Sequence, residues 1–349
     1  MNQRTLTFVG DISIPSKISP KLDDYSTFRD TITVANIEGD IVDNPKELYS
    51  KRVLFNHVSL KHFLEKMNVS VGNLANNHIL DIHSTPKKTV RHLENEDITT
   101  IGAGNNIGEA SQIKSLNIDG TKYAFLSFGW KVIGAPQAQI DSPGVNPLDP
   151  QYVLRMVKYT REQYTNHKIV VNFHWNYNLE IHPQPLHRKL AYMAVDQGAD
   201  LIVGHHPHIV SGIEVYKSTP IIHSLGNWFI PHGIFFDGEL TYPEISTVHL
   251  AAEWNPDKEL QLHWYQYDST DHSLNHLSSE LLSESRHIRE LTPYRGFTHE
   301  EYTKWFRQNR RIRSFLPIYI NPSEQYLNKI KDMYCKYRQY LVDRASPIL

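Results

Sequence analysis

Six short clusters of chemistry-bearing residues punctuate the first two-thirds of the chain. They are Gly10-Asp11, Asn36-Ile37-Glu38-Gly39, Ala75-Asn76-Asn77-His78, His174-Trp175, Gly204-His205-His206-Pro207-His208 and Gly226-Asn227-Trp228. Asp11 and Glu38 supply anionic oxygens, Asn77 a neutral carbonyl oxygen, and His174, His206 and His208 imidazoles. A mixed N/O set of this kind suits Zn, Mn or Fe(II), and suits Mg less well because imidazole is a poor ligand for it. A carboxylate can bridge two cations about 3.5–4 Å apart, which then clamp the attacking and leaving oxygens of a displacement. His78 adjoins the Asn77 ligand, where it can act as a general acid or stabilise developing charge.

Taken singly, most of these clusters have plainer readings. Gly-Asp after a strand is usually a turn, Asn76-Asn77 can be two turn residues, and Glu38 alone reads as a solvated carboxylate. A single His174 on an apolar strand reads as a hydrogen-bonded core residue. The run from Gly204 to His208 is harder to dismiss. It places three histidines within four positions directly after an apolar run, where unpaired imidazoles are costly.

The clusters share one placement. Each lies at or just beyond the carboxyl end of an expected strand: Leu6–Val9, Ile32–Ile37, Val69–Leu74, Ile169–Phe173, Leu201–Val203 and Ile221–Ser224. Thr99–Gly102 and Tyr123–Phe128 read as further strands. In open α/β sheets, ligands bind beyond the carboxyl ends of the strands. If the strands are parallel, all six clusters meet at one edge of one sheet. Between strands, Ser59–Met67 and Leu186–Gln197 carry apolar residues at helical spacing, and Gly198 supplies a C-cap. Alternating strands and helices predict an α/β fold. Asn117–Lys122 reads as a hairpin turn, so part of the sheet is expected to be antiparallel.

The remainder of the chain has a different character. Asp141–Pro150 and residues 231–243 read as long loops. Thr247–Trp254 and Glu259–Tyr267 read as two further strands, forming an edge hairpin or a second sheet. After about residue 270 the chain becomes polar, then helical over Glu300–Phe315 and Gln325–Val342. The second helix carries an apolar stripe of Tyr326, Ile330, Met333, Tyr334, Tyr337 and Leu341. The expected division is therefore a domain over 1–270 and a helical C-terminal extension over 271–349, packed on that domain or used as a dimer contact. Of the other histidines, His57, His62, His83 and His92 are expected at the surface and His223 in the core. His182 and His187 could face the pocket, and His232 could line its mouth.

Composition narrows the function classes. The 349 residues are 40% hydrophobic and 21% charged, which excludes wholesale disorder. Lys plus Arg number 36 against 38 Asp plus Glu, a net charge of -2, so no global field attracts nucleic acid or an anionic membrane, which leaves only local patches. A single cysteine, Cys335, rules out an internal disulfide and any multi-cysteine zinc site. No secretory signal and no apolar run long enough to span a membrane is visible, so a cytoplasmic protein is expected.

At this level the chain resembles the CapA family of capsule and poly-γ-glutamate biosynthesis proteins, also called PgsA-type. The resemblance rests on the six clusters together with Ile79-Leu80-Asp81, Gly102-Ala103-Gly104, Gly198-Ala199-Asp200 and Ser224-Leu225, and it spans roughly residues 5 to 230. It implies a branch of the calcineurin-like metallophosphoesterases: a four-layer α/β sandwich with a helical C-terminal appendage and a metal centre of one or two divalent ions. By motif match, Asp11 and His208 would bind one metal, Asn77, His174 and His206 the second, and Glu38 would bridge. His78 would be the catalytic histidine. Asn36, Asn76, Trp175, His205 and Asn227 would contact substrate. The chain departs from the pattern at Ser13, where these phosphoesterases carry a histidine, and at Asn176, where a glycine is usual. Asn178 or Glu180 occupies the neighbourhood of a family glutamate.

Two classes of function follow. One is a metal-dependent enzyme of surface-polymer synthesis that hydrolyses a phosphate ester or transfers an acyl or amide group. Its substrate would be a polymer precursor or an activated sugar or amino acid. The other is a non-catalytic accessory subunit of a polymer synthesis or export complex, partnered by other capsule-synthesis proteins.

Overall fold

The computed structural model of the chain describes residues 4–312 and 315–345. Two sheets face each other. The larger has nine strands, with Thr5–Ile12 near its middle. On one side of that strand lie Thr31–Ile37, Val69–Asn73 and Thr99–Ile101, and on the other Val248–Trp254, Gln261–Asp268, Ser273–Leu281 and Lys21–Leu22. The smaller has six, ordered Ile213–Tyr216, Thr219–Ile222, Leu201–His205, His167–His174, Thr121–Gly129 and Lys114–Ile118. The strands that end in the chemistry-bearing clusters pair in parallel within each sheet.

Period-two alternation sorts the side chains between layers. Leu6 and Phe8 enter the core between the sheets, where they meet Tyr123, Phe125, Val170, Leu201 and Val203. Val9 and Ile12 of the same strand belong to the core under the helices Lys61–Lys66 and Lys87–Glu94. The outer face of the smaller sheet is covered by Pro150–Gln163 and Pro185–Asp196 through Val153, Val157, Leu186, Leu190 and Ala194. Each such valine or leucine side chain contributes roughly 1.5–3 kcal/mol by burial. The result is helix, sheet, sheet, helix: the four-layer α/β sandwich that the resemblance implied. The expected hairpin is present, with Asp119 (φ 49°) and Gly120 (φ 94°) turning Lys114–Ile118 into Thr121–Gly129.

Two expectations are corrected. The boundary at residue 270 falls inside a β-hairpin, because Ser273–Leu281 pairs antiparallel with Gln261–Asp268 and extends the larger sheet. Its alternation is weak, with only Leu274 fully buried, so polar residues mask the strand. The helix expected over Glu300–Phe315 runs only over His299–Asn309, opened by a Thr298/Glu301 capping box. It stops early because the Glu180 carboxylate accepts from the backbone N–H groups of Arg311 (3.1 Å) and Ile312 (2.8 Å), which holds that segment out of the helix. Part of the segment after residue 281 packs back on the sandwich. Tyr302 and Phe306 are buried, and Tyr319 joins the core beneath Trp130 and Tyr177.

Candidate metal centre

The six clusters converge, but across two sheets rather than along the edge of one. Asp11 lies at the end of the strand Thr5–Ile12 of the larger sheet, and Glu38 and Asn77 follow its strands Thr31–Ile37 and Val69–Asn73. His174 and His205-His206-Pro207-His208 close strands of the smaller. Asn227 arrives by a crossing. The strand Thr5–Ile12 pairs antiparallel with Val248–Trp254 at Leu6–Phe8, then pairs in parallel with Asn227–Phe229 at Asp11. Gly10 permits that exchange, since a Cβ there would lie 2.0 Å from the Gly226 carbonyl oxygen.

Asp11, Glu38, His174, His206 and His208 are all buried. His208 Nδ1 lies 3.2 Å from Asp11 Oδ2 and 3.9 Å from Glu38 Oε2. His174 Nε2 lies 2.7 Å from Asn77 Oδ1 and 3.6 Å from Glu38 Oε1. Glu38, His206 and His208 offer ligand atoms within 4.8 Å of one another. His206 (φ 96°) and His208 (φ 58°) both occupy the left-handed region, a conformation non-glycine residues adopt at a cost and that clusters at functional sites.

The electrostatics are those of a site built around a missing charge. Both Glu38 oxygens, and Nδ1 of His174, His205 and His206, are buried without a hydrogen-bond partner. A buried carboxylate without partners is costly, and a divalent cation supplies what it lacks. Burial, joined by the Asp11 charge, pushes the Glu38 carboxyl up to about 7. Burial also opposes charge on Asp11, but the neighbouring His205 and His208 rings hold it well below the usual carboxylate range. His174 and His206 are driven well down by burial, which keeps them neutral as ligands must be. Burial disfavours charge on His208 too, yet Glu38 and Asp11 lift it to about 9. This donor set fits a divalent ion, with Asp11, Glu38, Asn77, His174, His206 and His208 as the residues that would hold it.

Several residues act one step back from this cluster. Asn36 Nδ2 donates to Asp11 Oδ1 at 2.8 Å, Asn73 Nδ2 donates to Asn36 Oδ1 at 3.0 Å, and the Ser127 hydroxyl donates to Asn73 Oδ1. This buried relay runs from the smaller sheet to Asp11. Asn73 and Ser127 lie outside the expected site set, and their polar character at inward strand positions is the available signal. Asn227 Oδ1 lies 2.8 Å from His208 Nδ1 and sets that ring. Asn76 bridges turns, donating to the Ile37 carbonyl at 2.7 Å and accepting from His78 N–H at 3.1 Å. His205, at 3.6 Å from Asp11 Oδ1, completes the rim.

These contacts correct part of the expected substrate set. Asn36 and Asn76 are fully buried and spend their side chains on protein groups, so they position rather than contact substrate. Trp175 is a core residue. It is 0% exposed, stacks between Phe173 and His187 at 4.5 and 5.1 Å, and donates its indole N–H to the His223 carbonyl at 2.9 Å. His187 is therefore inside that aromatic stack rather than in the pocket, and burial lowers its pKa to about 3. His182 packs on Trp305. The Ser13 hydroxyl donates to the Phe55 carbonyl at 2.9 Å. Glu180 is likewise spent, on the backbone of residues 311 and 312.

His78 sits at the open side of the cluster. Its Nδ1 lies 2.6 Å from Asp81 Oδ2, and its side chain is 21% exposed. Burial opposes charge on the ring, but Asp81 and Glu38 carry its pKa above the usual imidazole value. The loop that bears it is stapled by Asp40, whose Oδ2 accepts from Ile82 N–H (2.9 Å) and His83 N–H (3.1 Å). On the opposite side, the Tyr242 ring lies 5.0 Å from His208 and 5.8 Å from His232. Tyr242 comes from the loop expected over 231–243, and no sequence signal marks it.

A two-sheet α/β sandwich whose strand ends gather buried carboxylates and imidazoles defines a candidate metalloprotein. Comparison with known proteins refines that class. Residues 5–231 match the family described as bacterial capsule synthesis protein PGA_cap, and the chain belongs to this family. A capsule biosynthesis protein CapA of Bacillus anthracis is 30% identical over 247 residues, covering 66% of this chain and 60% of that protein. A PGA biosynthesis protein CapA of Bacillus subtilis (strain 168) is 34% identical over 172 residues, 49% of this chain and 45% of that one. The chain thus spans between about half and three-fifths of these relatives' lengths. A probable polyglutamine synthesis accessory protein of Mycobacterium tuberculosis is 27% identical over 47% of this chain and 46% of its own. Among solved structures, a 5'-nucleotidase precursor from Thermus thermophilus aligns at 12% identity and a TM-score of 0.38, over 80% of this chain and 54% of that one. Among the described residues, no helix is long and apolar enough to cross a membrane.

Proposed function

We propose that this chain is a divalent-metal-dependent enzyme of capsule or poly-γ-glutamate synthesis. It would act on a polymer precursor or an activated sugar or amino acid, by cleaving a phosphate ester or by transferring an acyl or amide group. The observation that carries this reading is the buried donor set, in which both Glu38 oxygens lack any hydrogen-bond partner while the imidazoles of His174, His206 and His208 lie close by and His208 also meets Asp11. Pure packing does not account for such a cluster, because each uncompensated group costs stability.

A bound divalent ion would polarise a carbonyl or phosphoryl oxygen and supply a nucleophile near neutral pH. The chain's own residues do the rest. The relay from Ser127 through Asn73 and Asn36 fixes the Asp11 carboxylate, and Asn227 fixes the His208 ring. Asp81 occupies His78 Nδ1, which leaves Nε2 to meet substrate. In the phosphate-ester form of the reaction, water attacks phosphorus as the ester P–O bond breaks, the leaving oxygen takes the proton held at His78 Nε2, and the proton released by the water restores the ring. In the acyl or amide form, an acceptor amine or hydroxyl attacks the acyl carbon, the bond to the departing group breaks, that group takes the same proton, and the proton released by the acceptor restores His78.

The test is elemental analysis of protein purified without chelator, followed by turnover assays on phosphate esters and activated acyl donors. One or two equivalents of Mn, Zn or Fe with turnover, both lost in Asp11→Asn and His206→Ala, are expected. Absence of metal after loading would overturn the reading. A second reading, a non-catalytic accessory subunit, is favoured by the name of the mycobacterial relative. Metal binding without turnover, together with polymer production unaffected by His78→Ala in cells, would select it.

A further inference from the structure

The long C-terminal helix Gln325–Ala345 lies outside the candidate site and outside the family match. It is seated with the wrong side outward for an ordinary surface helix, which buries its apolar stripe. Tyr326, Ile330, Met333, Tyr334, Tyr337 and Leu341 recur at three- and four-residue spacing and so share one face. That face is open: Tyr326 is 77% exposed, Met333 72% and Tyr337 62%. The helix is held by its narrow opposite edge. There Cys335 is buried against Tyr177 and Tyr319, and Asp332 accepts from Tyr319 Oη at 2.8 Å and pairs with Lys131 Nζ at 2.6 Å. A contiguous exposed apolar face of this kind marks an interaction surface.

Charge decides what covers it. Lys329, Lys336 and Arg338 border the stripe, while Lys331 lies over the Tyr319 ring at 5.5 Å; of the two acids in the helix, Asp332 and Asp343, Asp332 is turned inward to Lys131. The chain as a whole is slightly acidic, so this is a local cationic surface. A second copy would set these cations against their equals, which disfavours self-pairing. The stripe is rich in tyrosine, a side chain with an apolar body and a polar tip that suits a water–lipid boundary. We propose that this helix lies in the interface of an anionic lipid surface, with the stripe toward the acyl chains and the flanking cations at the headgroups. Lys131, which anchors the helix, follows the strand Thr121–Gly129 at the sheet edge that also carries the candidate metal centre. Docking would therefore bring that edge to the membrane.

The experiment is co-sedimentation of the full chain with phosphatidylcholine vesicles, alone or containing about 30% phosphatidylserine. At least ~10-fold tighter binding to the anionic vesicles is expected, weakened by salt near 0.5 M. The double variant Ile330→Glu/Tyr337→Glu changes only exposed side chains; it should melt like the parent and lose vesicle binding. Failure of the parent to bind anionic vesicles would overturn the proposal, as would undiminished binding by the variant. Equal binding to both vesicle types would overturn it too, since the cations would then play no part. A dimer in light scattering that the variant dissolves would assign the face to a second copy instead.

Discussion

At the scale of single residues, the proposed ligands at the strand ends are held by a set of supports. The supports are open to test apart from the ligands. Asn36→Ala removes the donor to Asp11 Oδ1 without touching a ligand, and should weaken metal binding about 10–100-fold while leaving the circular dichroism spectrum unchanged. Titration with a competing chelator measures this, and an unaltered affinity would show that the relay is only structural. The metal-free protein also holds protons that the metal must displace. Glu38 titrates near 7 and His208 near 9, and a ligand must be an ionised carboxylate or a neutral imidazole. Metal affinity should therefore rise as pH rises through neutrality. Calorimetry in buffers of different ionisation enthalpy should show proton release on binding.

At the scale of elements, a second buried network ties the C-terminal segment to the sandwich. Arg188 of the helix Pro185–Asp196 pairs with Glu214 of the strand Ile213–Tyr216 at 2.7 and 2.8 Å, with His223 Nε2 3.1 Å from the same carboxylate. The guanidinium also lies over the rings of Tyr192 and Tyr302, at 4.8 and 4.6 Å, and donates to the Phe297 carbonyl. Burial opposes charge on Glu214, but hydrogen bonds from His223 and Arg188 lower it to about 2. A folded pKa below the unfolded value gives stability that is present above about pH 4.5 and lost as pH falls toward 2. The loss is on the order of 3 kcal/mol. Urea melts across that window should show it in the parent and lose most of the slope in Glu214→Gln, which should also be less stable at neutral pH. Another element-level constraint is the partner exchange at Gly10. Gly10→Ala drives a methyl into the Gly226 carbonyl and should destabilise the protein by several kcal/mol, read as a lower urea midpoint.

At the scale of the whole molecule, the strand ends of two sheets meet around the cluster, so a bound ion links elements distant in sequence. An ion that binds only the folded state stabilises it by about 2.7 kcal/mol at 100 times its Kd. Addition of the cognate ion should therefore raise the melting temperature by several degrees, and chelator should reverse it. Asp11→Asn should abolish the response, because it removes one of the two buried anions that attract the ion.

Much of this is legible in the order of residues. Period-two apolar runs ending in Asp, Glu, Asn or His locate the strands of the site and the ligands at their ends, because burial fixes side-chain alternation and chemistry collects where strands stop. The same pattern does not place the clusters on two sheets, since apolar strands look alike whichever sheet they join. It hides Ser273–Leu281, a polar strand at the margin of the larger sheet. The family resemblance implied substrate contacts for Trp175, Asn36 and Asn76, because residue type shows what a side chain can do but not which partner has already claimed it. Tyr242 and the Asn73–Ser127 relay come from segments far apart in the chain, and only folding brings them to the site. The apolar stripe of the last helix is visible as a pattern. Whether it faces the core or the solvent is decided by the docking of Asp332 and Cys335 on its other edge, a tertiary choice that helical periodicity alone does not contain.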